Sequence, residues 1–193
     1  VAIVRPKSEL QLVVEIAKRA ELDKLSFYKP FPYQLELHGA RDSNGNIAQE
    51  VCFLAGNRAG KTHCASHDIA FHLTGRYPDW WPGQKYPQPI SAIAGGVTNE
   101  STRDILQAAM FGDPRNPDAQ GTGSVPKDCI VSIRLRQGVR DAIDTAIVKH
   151  VSGRNSRVQF KSYEMGAKAW MGSGLDYGLL DEQPPQEIYS QVL

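Results

Sequence analysis

The spacing of apolar residues along the chain predicts an alternation of helices and strands. From Ser8 to Leu25 apolar residues recur at roughly helical spacing behind a serine that can cap a helix, so an amphipathic helix packed on the core is predicted. Short apolar runs at residues 51–55, 90–94 and 179–180 predict buried strands, and the alternating run at 130–135 predicts another. Helices are predicted after the first two runs, ending near Leu73 and Phe111.

Proline, glycine and tryptophan define the connections between these segments. Two prolines force a turn before a helix that begins near Tyr33. Residues 75–89 contain Trp80 and Trp81, whose exposure would be unfavourable, so this loop is predicted to fold back onto the domain. Residues 145–163 read as a β-hairpin with a tip at 152–156. The predicted fold is therefore α/β, with a mainly parallel central sheet flanked by helices and an antiparallel hairpin added to it.

Composition is that of a soluble globular protein of one domain, but the charge is unevenly spread. The 193 residues carry a net charge of +1, and no apolar run approaches the roughly 20 residues that span a bilayer, so no membrane is expected. Residues 127–168 hold nine Lys and Arg against four Asp and Glu, whereas 169–193 hold four acids and no Lys or Arg. This distribution suits a polyanion on the basic segment and a metal at the acidic end. Three cysteines without C-x-x-C spacing indicate a reducing compartment.

The strongest chemical signal is a glycine-rich turn, residues 55–62, between a predicted strand and a predicted helix. It matches G-x-x-x-x-G-K-[ST], with Ala55 at the first glycine position. Gly56 and Gly60 leave room for phosphates to approach main-chain N–H groups, and the helix that follows points its N-terminus at the anion. Lys61 would place a charge on the β- and γ-phosphates, and the Thr62 hydroxyl can bind Mg²⁺.

A second signal is the acidic pair Asp181–Glu182 at the end of an apolar run. Two adjacent carboxylates at a strand end can divide their work, because the first can hold Mg²⁺ through water and the second can take a proton from an attacking water. Upstream, Tyr33 offers a stacking face and the Gln34 amide suits the edge of adenine. The spacing of His63 and His67 could serve a metal, but these are interpreted as helix-face histidines.

With these residues, the chain resembles the ATPase domain of a large terminase subunit, the DNA-packaging motor of tailed bacteriophages. The resemblance covers nearly the whole chain. Segments 31–34, 56–62, 77–83, 97–104 and 160–185 carry it, and they include the counterparts of that family's Q motif, Walker A loop and Walker B strand. It implies a RecA-like P-loop fold of the additional-strand type. Residues 1–50 would form an N-terminal helix and adenine-binding segment, and 51–193 the P-loop core, with no nuclease domain or nuclease activity in this chain.

The resemblance also assigns roles to individual residues. Glu182 would activate water, and Asp181 and Thr62 would hold Mg²⁺. The charge of the transition state would be met by Lys61 and by an arginine, either Arg58 in cis or Arg103, Arg154 or Arg157 from a neighbouring subunit. Some relatives carry the loop arginine four residues before the lysine, whereas Arg58 precedes Lys61 by three. The residues expected to bind ATP are Tyr33, Gln34, Ala55, Gly56, Asn57, Arg58, Ala59, Gly60, Lys61 and Thr62.

The function expected on this basis is ATP hydrolysis that powers the translocation of double-stranded DNA into a procapsid in the host cytoplasm. Implied partners are the DNA, the small terminase subunit and the portal ring, with a homo-oligomeric ring during packaging and a monomer in isolation. The basic segment, with Arg154 and Arg157, is the candidate DNA-facing surface. A helicase-like ATPase, a small-molecule kinase and a nucleotide-gated interaction module stay open as alternatives.

Overall fold

The computed structural model describes residues 8–171 and 174–192, which form an α/β structure around one five-stranded sheet. The strands are β1 (Ser91–Gly96), β2 (Ile130–Leu135), β3 (Ile143–Lys149), β4 (Asn155–Ser162) and β5 (Tyr177–Leu180). Their order across the sheet is β2-β3-β4-β1-β5. Strand β1 runs parallel to both β4 and β5, whereas β2 pairs with β3, and β3 with β4, in antiparallel fashion.

The sheet is mixed, so the prediction of a mainly parallel sheet is wrong. Strands β3 and β4 pair in antiparallel fashion because only residues 150–154 connect them. A parallel pair needs a crossover of about a dozen residues. The hairpin predicted at 145–163 is confirmed by this pairing. It is not a separate addition, however, since β4 also pairs with β1 and so lies within the sheet.

One helix, which starts at the glycine-rich turn, forms much of the core. The helices are α1 (Glu9–Leu22), α2 (Pro32–His38), α3 (Lys61–Thr74), α4 (Asn99–Ser101), α5 (Ala108–Phe111), α6 (Ala167–Trp170) and α7 (Gln186–Val192). Ile69, Phe71 and Leu73 of α3 are almost fully buried and belong to the same core cluster as Ala92 of β1 and Val158 of β4. Among the described residues, no helix is long and apolar enough to cross a membrane.

Helix α1 forms as predicted but does not pack on the core. Ser8 caps it, its hydroxyl accepting from the Gln11 main chain while the Gln11 side chain accepts from the Ser8 N–H. None of its residues is buried, so the predicted packing on the core is wrong. The apolar residues spread around much of the helix, and no other element in the described part of the chain covers them.

The apolar run at 51–55 was expected to be a strand and is not one. These residues are unpaired in the structure, and Leu54 is 88% exposed. A strand needs a neighbour to satisfy its main-chain groups. Among the described residues β5 pairs only with β1, and no element pairs with the run at 51–55, so a local apolar pattern alone does not produce a strand.

The tryptophan-rich loop folds back as predicted, although Trp80 stays 38% exposed. The Trp81 side chain is 6% exposed, lies 4.9 Å from the Phe71 ring and donates from Nε1 to the Gln84 carbonyl at 2.9 Å. The helical segment after β1 is also confirmed, with Thr98 as its cap, although residues Thr102–Gln107 adopt π-helical geometry.

Candidate functional site

The glycine-rich turn lies immediately before the first turn of α3. Gly60, the residue before the helix, has φ 73°, and a Cβ added there would come within 3.0 Å of the Gln34 Nε2 atom. Arg58 also has a positive φ, 62°, and both Arg58 and Asn57 are exposed. A residue other than glycine rarely adopts this conformation, so the main chain at Arg58 is strained, just before the start of α3. Main-chain N–H groups at such a helix start make a site for anions.

Lys61 closes over this turn. Its ammonium donates to the carbonyl oxygens of Ala55 and Gly56 at 2.8 and 2.9 Å, which links the two ends of the loop. The charge therefore lies inside the loop rather than free in solvent. An incoming anion would compete for the same ammonium, because charge-assisted hydrogen bonds to phosphate are stronger than those to neutral carbonyls.

Tyr33 and Gln34 of α2 contact the turn from outside, 26 residues away in sequence. The Tyr33 hydroxyl donates to the Ala59 carbonyl at 2.9 Å. The Gln34 Nε2 donates to the Gly60 carbonyl at 3.2 Å, and its Oε1 accepts from the Phe31 N–H at 2.9 Å. Gln34 is only 1% exposed, so in this structure its amide holds the turn in place. The Tyr33 ring is partly exposed and stacks against Phe31, and contact of either residue with adenine stays a prediction.

The acidic pair follows β5 at the same edge of the sheet as this turn. The Asp181 N–H donates to the Gly95 carbonyl of β1 at 2.8 Å, so the strand geometry continues to Asp181 and then breaks at Glu182, whose φ is 63°. Burial raises the pKa of Asp181 above its ordinary value, the charge of Glu182 adds to the rise, and the charge of Lys61 opposes it. The Tyr177 hydroxyl of β5 also donates to Asp68 of α3, so the strand before the acidic pair packs on the helix after the turn. The turn and the acidic pair are therefore a candidate for one site.

The donor set of this site suits Mg²⁺. Asp181 and Thr62 supply hard oxygen atoms, which Mg²⁺ prefers, and Mg²⁺ usually completes its shell with water and substrate phosphates. In the part of the chain that the structure describes, no cluster of three or more His, Cys, Asp or Glu side chains could enclose a metal by itself. His67, one of the histidines considered above, is buried and stacks on the Tyr28 ring at 4.2 Å.

Sequence reasoning missed a buried polar cluster two turns down α3, centred on Asp68. His38 Nδ1 lies 2.5 Å from Asp68 Oδ1, the Tyr177 hydroxyl donates to Oδ2 at 2.6 Å, and His72 Nε2 lies 3.4 Å from Oδ2. Burial opposes ionisation of Asp68, but hydrogen bonds from His38 and His72 outweigh it and hold the pKa of this carboxyl well below its ordinary value. The cluster joins α2, α3 and β5, the three elements that carry Gln34, Lys61 and the acidic pair.

The sequence contains little that indicates this cluster. Asp68 and His72 are four apart in a helical segment, which is a local signal, but His38 and Tyr177 lie far away along the chain. A second missed residue is Tyr163, whose hydroxyl donates to the Asp181 carbonyl at 2.7 Å. Its only signal was its position at the end of a predicted strand.

The candidate arginines occupy three different environments. Arg58 is exposed within the turn. Arg103 is engaged, with Nε donating to Asp104 at 2.7 Å and Nη1 to the Arg140 carbonyl at 2.8 Å. Arg154 and Arg157 lie at the start of β4, where they line an open groove of about 380 Å³. The acidic pair follows the opposite end of the sheet, roughly 20 Å along six strand residues, so these two cannot serve the site of their own chain.

Among the described contacts, three of the nine basic residues of the basic segment form ion pairs within the protein. Arg134 and Arg136 both contact the Asp144 carboxylate, at 2.5 and 3.0 Å, and Arg140 lies 3.3 Å from Asp141. In the described residues, Arg154 and Arg157 make no ion pair. Arg154 is exposed and can contact a polyanion, as can the exposed Lys127, Lys149 and Lys168 of the same segment.

Comparison with known proteins identifies the family of this chain. Residues 52–193 match the family model described as terminase large subunit, T4likevirus-type, N-terminal. The chain is 31% identical over 201 residues to the protein named terminase, large subunit, of Salmonella phage P22, an alignment that covers 95% of this chain and 40% of that protein. The chain thus spans less than half the length of this relative. No solved structure matches it. The family match spans the turn, the acidic pair and every strand of the sheet, and the chain belongs to the terminase large subunit family.

Proposed function

We propose that this chain binds ATP with Mg²⁺ between the glycine-rich turn and Asp181–Glu182, and that it hydrolyses ATP to drive double-stranded viral DNA into a procapsid. The observation that carries the proposal is the packing of α3, which begins at Lys61 directly after the glycine-rich turn, on β5, which leads into Asp181 and Glu182. A cation, main-chain N–H groups and two carboxylates in one place are the groups that phosphoryl transfer to water requires. Membership of the terminase large subunit family supports the DNA-packaging role.

Each group has a defined task under this proposal. Lys61 leaves the carbonyls of Ala55 and Gly56 and binds the β- and γ-phosphates, while the N–H groups at the start of α3 bind phosphate oxygens. Thr62 and Asp181 would hold Mg²⁺, which when bound neutralises negative charge on the phosphates. Glu182, exposed beside Asp181, accepts a proton from the attacking water and orients it.

The positions of the candidate arginines suggest how each would reach the transition state. Arg58 lies in the turn itself and is proposed to act in cis. Arg154 and Arg157, at the far end of the sheet, would act only on the site of a neighbouring copy in a ring. Arg103 would first have to release Asp104 and the Arg140 carbonyl. A finger of this kind contributes about 10³–10⁵ in rate.

Fold type and partners are proposed with the same reasoning. The order of turn, helix, parallel strands and acidic strand end is that expected of an additional-strand P-loop ATPase, although β3 pairs in antiparallel fashion with both of its neighbours, β2 and β4. The proposed partners are double-stranded DNA, the small terminase subunit and the portal ring, in the host cytoplasm.

The direct test is phosphate release by the purified chain with ATP, measured with Mg²⁺ or with a chelator, and with or without double-stranded DNA. The proposal predicts Mg²⁺-dependent release that DNA stimulates. Lys61→Ala should lower kcat/KM by roughly 10²–10³-fold, because a charge aimed at the reacting phosphates is lost. Lys85→Ala is the matched control, since Lys85 lies in the exposed loop beside Tyr77.

Three results would count against the proposal. Equal turnover of the two lysine variants would remove Lys61 from the site. Transfer of phosphate to a small acceptor in place of release would favour a kinase. Binding of ATP without any release by the unaltered chain would favour a nucleotide-gated module.

A further inference from the structure

Tyr163 contacts the main chain of both acidic residues from inside the protein. It follows β4 in a short 3₁₀ turn, Tyr163–Met165, and is 7% exposed. Its hydroxyl donates to the Asp181 carbonyl at 2.7 Å and lies 3.3 Å from the Glu182 carbonyl. Burial raises the pKa of this phenol well above its usual range, so the hydroxyl keeps its proton and acts as a donor at any pH of interest.

The main chain that Tyr163 contacts is strained. Glu182 has φ 63°, a left-handed conformation that costs a residue with a side chain free energy and persists only where its surroundings enforce it. Just before Glu182, the Asp181 N–H donates a hydrogen bond to the Gly95 carbonyl. The Tyr163 hydroxyl contacts the carbonyl oxygens of Asp181 and Glu182. The peptide units around Glu182 are therefore held from two elements, β1 and the turn after β4.

Tyr163 is itself rigidly placed. Its ring lies 5.6 Å from that of Trp170, which is fully buried and donates from Nε1 to the Ser162 carbonyl at 3.2 Å. The next residue, Glu164, accepts from the main-chain N–H and the side-chain Nδ2 of Asn99, at 2.9 and 2.8 Å. The turn after β4 is thereby tied to the segment after β1, and these contacts fix the position of Tyr163 beside the acidic pair.

We propose that Tyr163 is a positioning residue that holds Glu182 in the left-handed conformation needed to aim its carboxylate at the attacking water. The inference rests on the proposed function, because it assumes that Glu182 acts on water. It assigns Tyr163 no contact with ATP. Loss of the hydroxyl should therefore alter the chemical step and leave nucleotide binding unchanged.

Tyr163→Phe removes the hydroxyl and keeps the ring, and the same strand supplies a matched control. The Tyr86 hydroxyl donates to the Asp176 carbonyl at 2.9 Å, at the other end of β5. Tyr86→Phe thus removes a tyrosine-to-carbonyl hydrogen bond from β5 without touching the acidic pair. Steady-state kinetics of both variants, binding of a non-hydrolysable ATP analogue and amide hydrogen exchange at residues 181–183 are then compared.

The expected result for Tyr163→Phe is a fall in kcat of about 10- to 100-fold, the effect of a slightly misplaced catalytic group. Its KM and analogue affinity should stay within about twofold of those of Tyr86→Phe. Amides 181–183 should exchange faster in Tyr163→Phe than in Tyr86→Phe. Equal kcat or equal exchange in the two variants, or parallel losses of kcat and analogue binding, would overturn the proposal.

The exchange measurement separates this inference from the proposed function. If the unaltered chain releases no phosphate, the proposed function fails and the role of Tyr163 in catalysis fails with it. If the unaltered chain is active and exchange is unaffected by Tyr163→Phe, the positioning inference fails alone.

Discussion

Helix α3 carries two polar regions that are built in opposite ways. At its first residue lies the glycine-rich turn, which is exposed, has a positive φ at Arg58 and Gly60, and is held by long side chains that reach it from elsewhere. Two turns later lies the Asp68 cluster, which is buried and has each carboxylate oxygen occupied by a neighbouring side chain. The turn is accessible to a ligand, whereas the carboxylate oxygens of Asp68 already have hydrogen-bond partners within the protein.

This difference distinguishes residues that would bind a ligand from residues that stabilise the fold around them. Groups at the turn can exchange their present partners for phosphates, because Lys61 binds only main-chain carbonyls. Groups around Asp68 cannot be exchanged without leaving a buried charge unpaired, which is costly. The cluster is therefore expected to act through stability and the turn through ligand binding.

The largest effect is expected on replacing the carboxylate at the centre of the cluster. Asp68→Ala should lower the free energy of unfolding by roughly 3 kcal/mol, because His38, His72 and Tyr177 lose a shared buried partner. The control is Asp128→Ala, which removes an exposed ion pair with Arg76 and should cost roughly 0–1 kcal/mol. Urea unfolding measures both, and equal losses would abolish the distinction between the two regions.

A smaller effect is expected from His67, which is buried on α3 between the two regions. Burial lowers its pKa to about 4 in the folded chain, from an ordinary value of 6.5. Between these values the unfolded chain binds a proton that the folded chain does not, so stability decreases as pH falls from 6.5 towards 4. From pH 6.5 to 5 the loss should be on the order of 2 kcal/mol.

His67→Gln should flatten this dependence, and His63→Gln, at an exposed position on the same helix, should change it less. The measurement is chemical unfolding at several pH values. The same slope in His67→Gln as in the unaltered chain would show that another group causes the acid sensitivity.

The sequence correctly predicted the helix after the glycine-rich turn, the strand before the acidic pair and most other helices. Gly60 directly precedes helix α3, and Lys61 is its first residue. Their roles depend on residues that are close in sequence, and such residues can be recognised as a motif. The hairpin was equally local, since the few residues between β3 and β4 allow only one arrangement.

The features that sequence reasoning missed depend on distant parts of the chain. The run at 51–55 has the composition of a strand but finds no pairing neighbour in the described structure. Helix α1 has apolar residues at helical spacing, but within residues 8–171 and 174–192 none of its side chains is buried. His38, Asp68 and Tyr177 meet only after α2, α3 and β5 have packed together, and nothing in their local sequence indicates that meeting.

The most direct test of the account is the comparison of ATP binding and ATP hydrolysis in Glu182→Gln. This change removes a proton acceptor and leaves Lys61, the helix N-terminus and Asp181 in place. The account predicts that the affinity for ATP with Mg²⁺ is kept while phosphate release falls to the background rate. Unchanged turnover in Glu182→Gln would contradict the assignment of the acidic pair and of the site built around it.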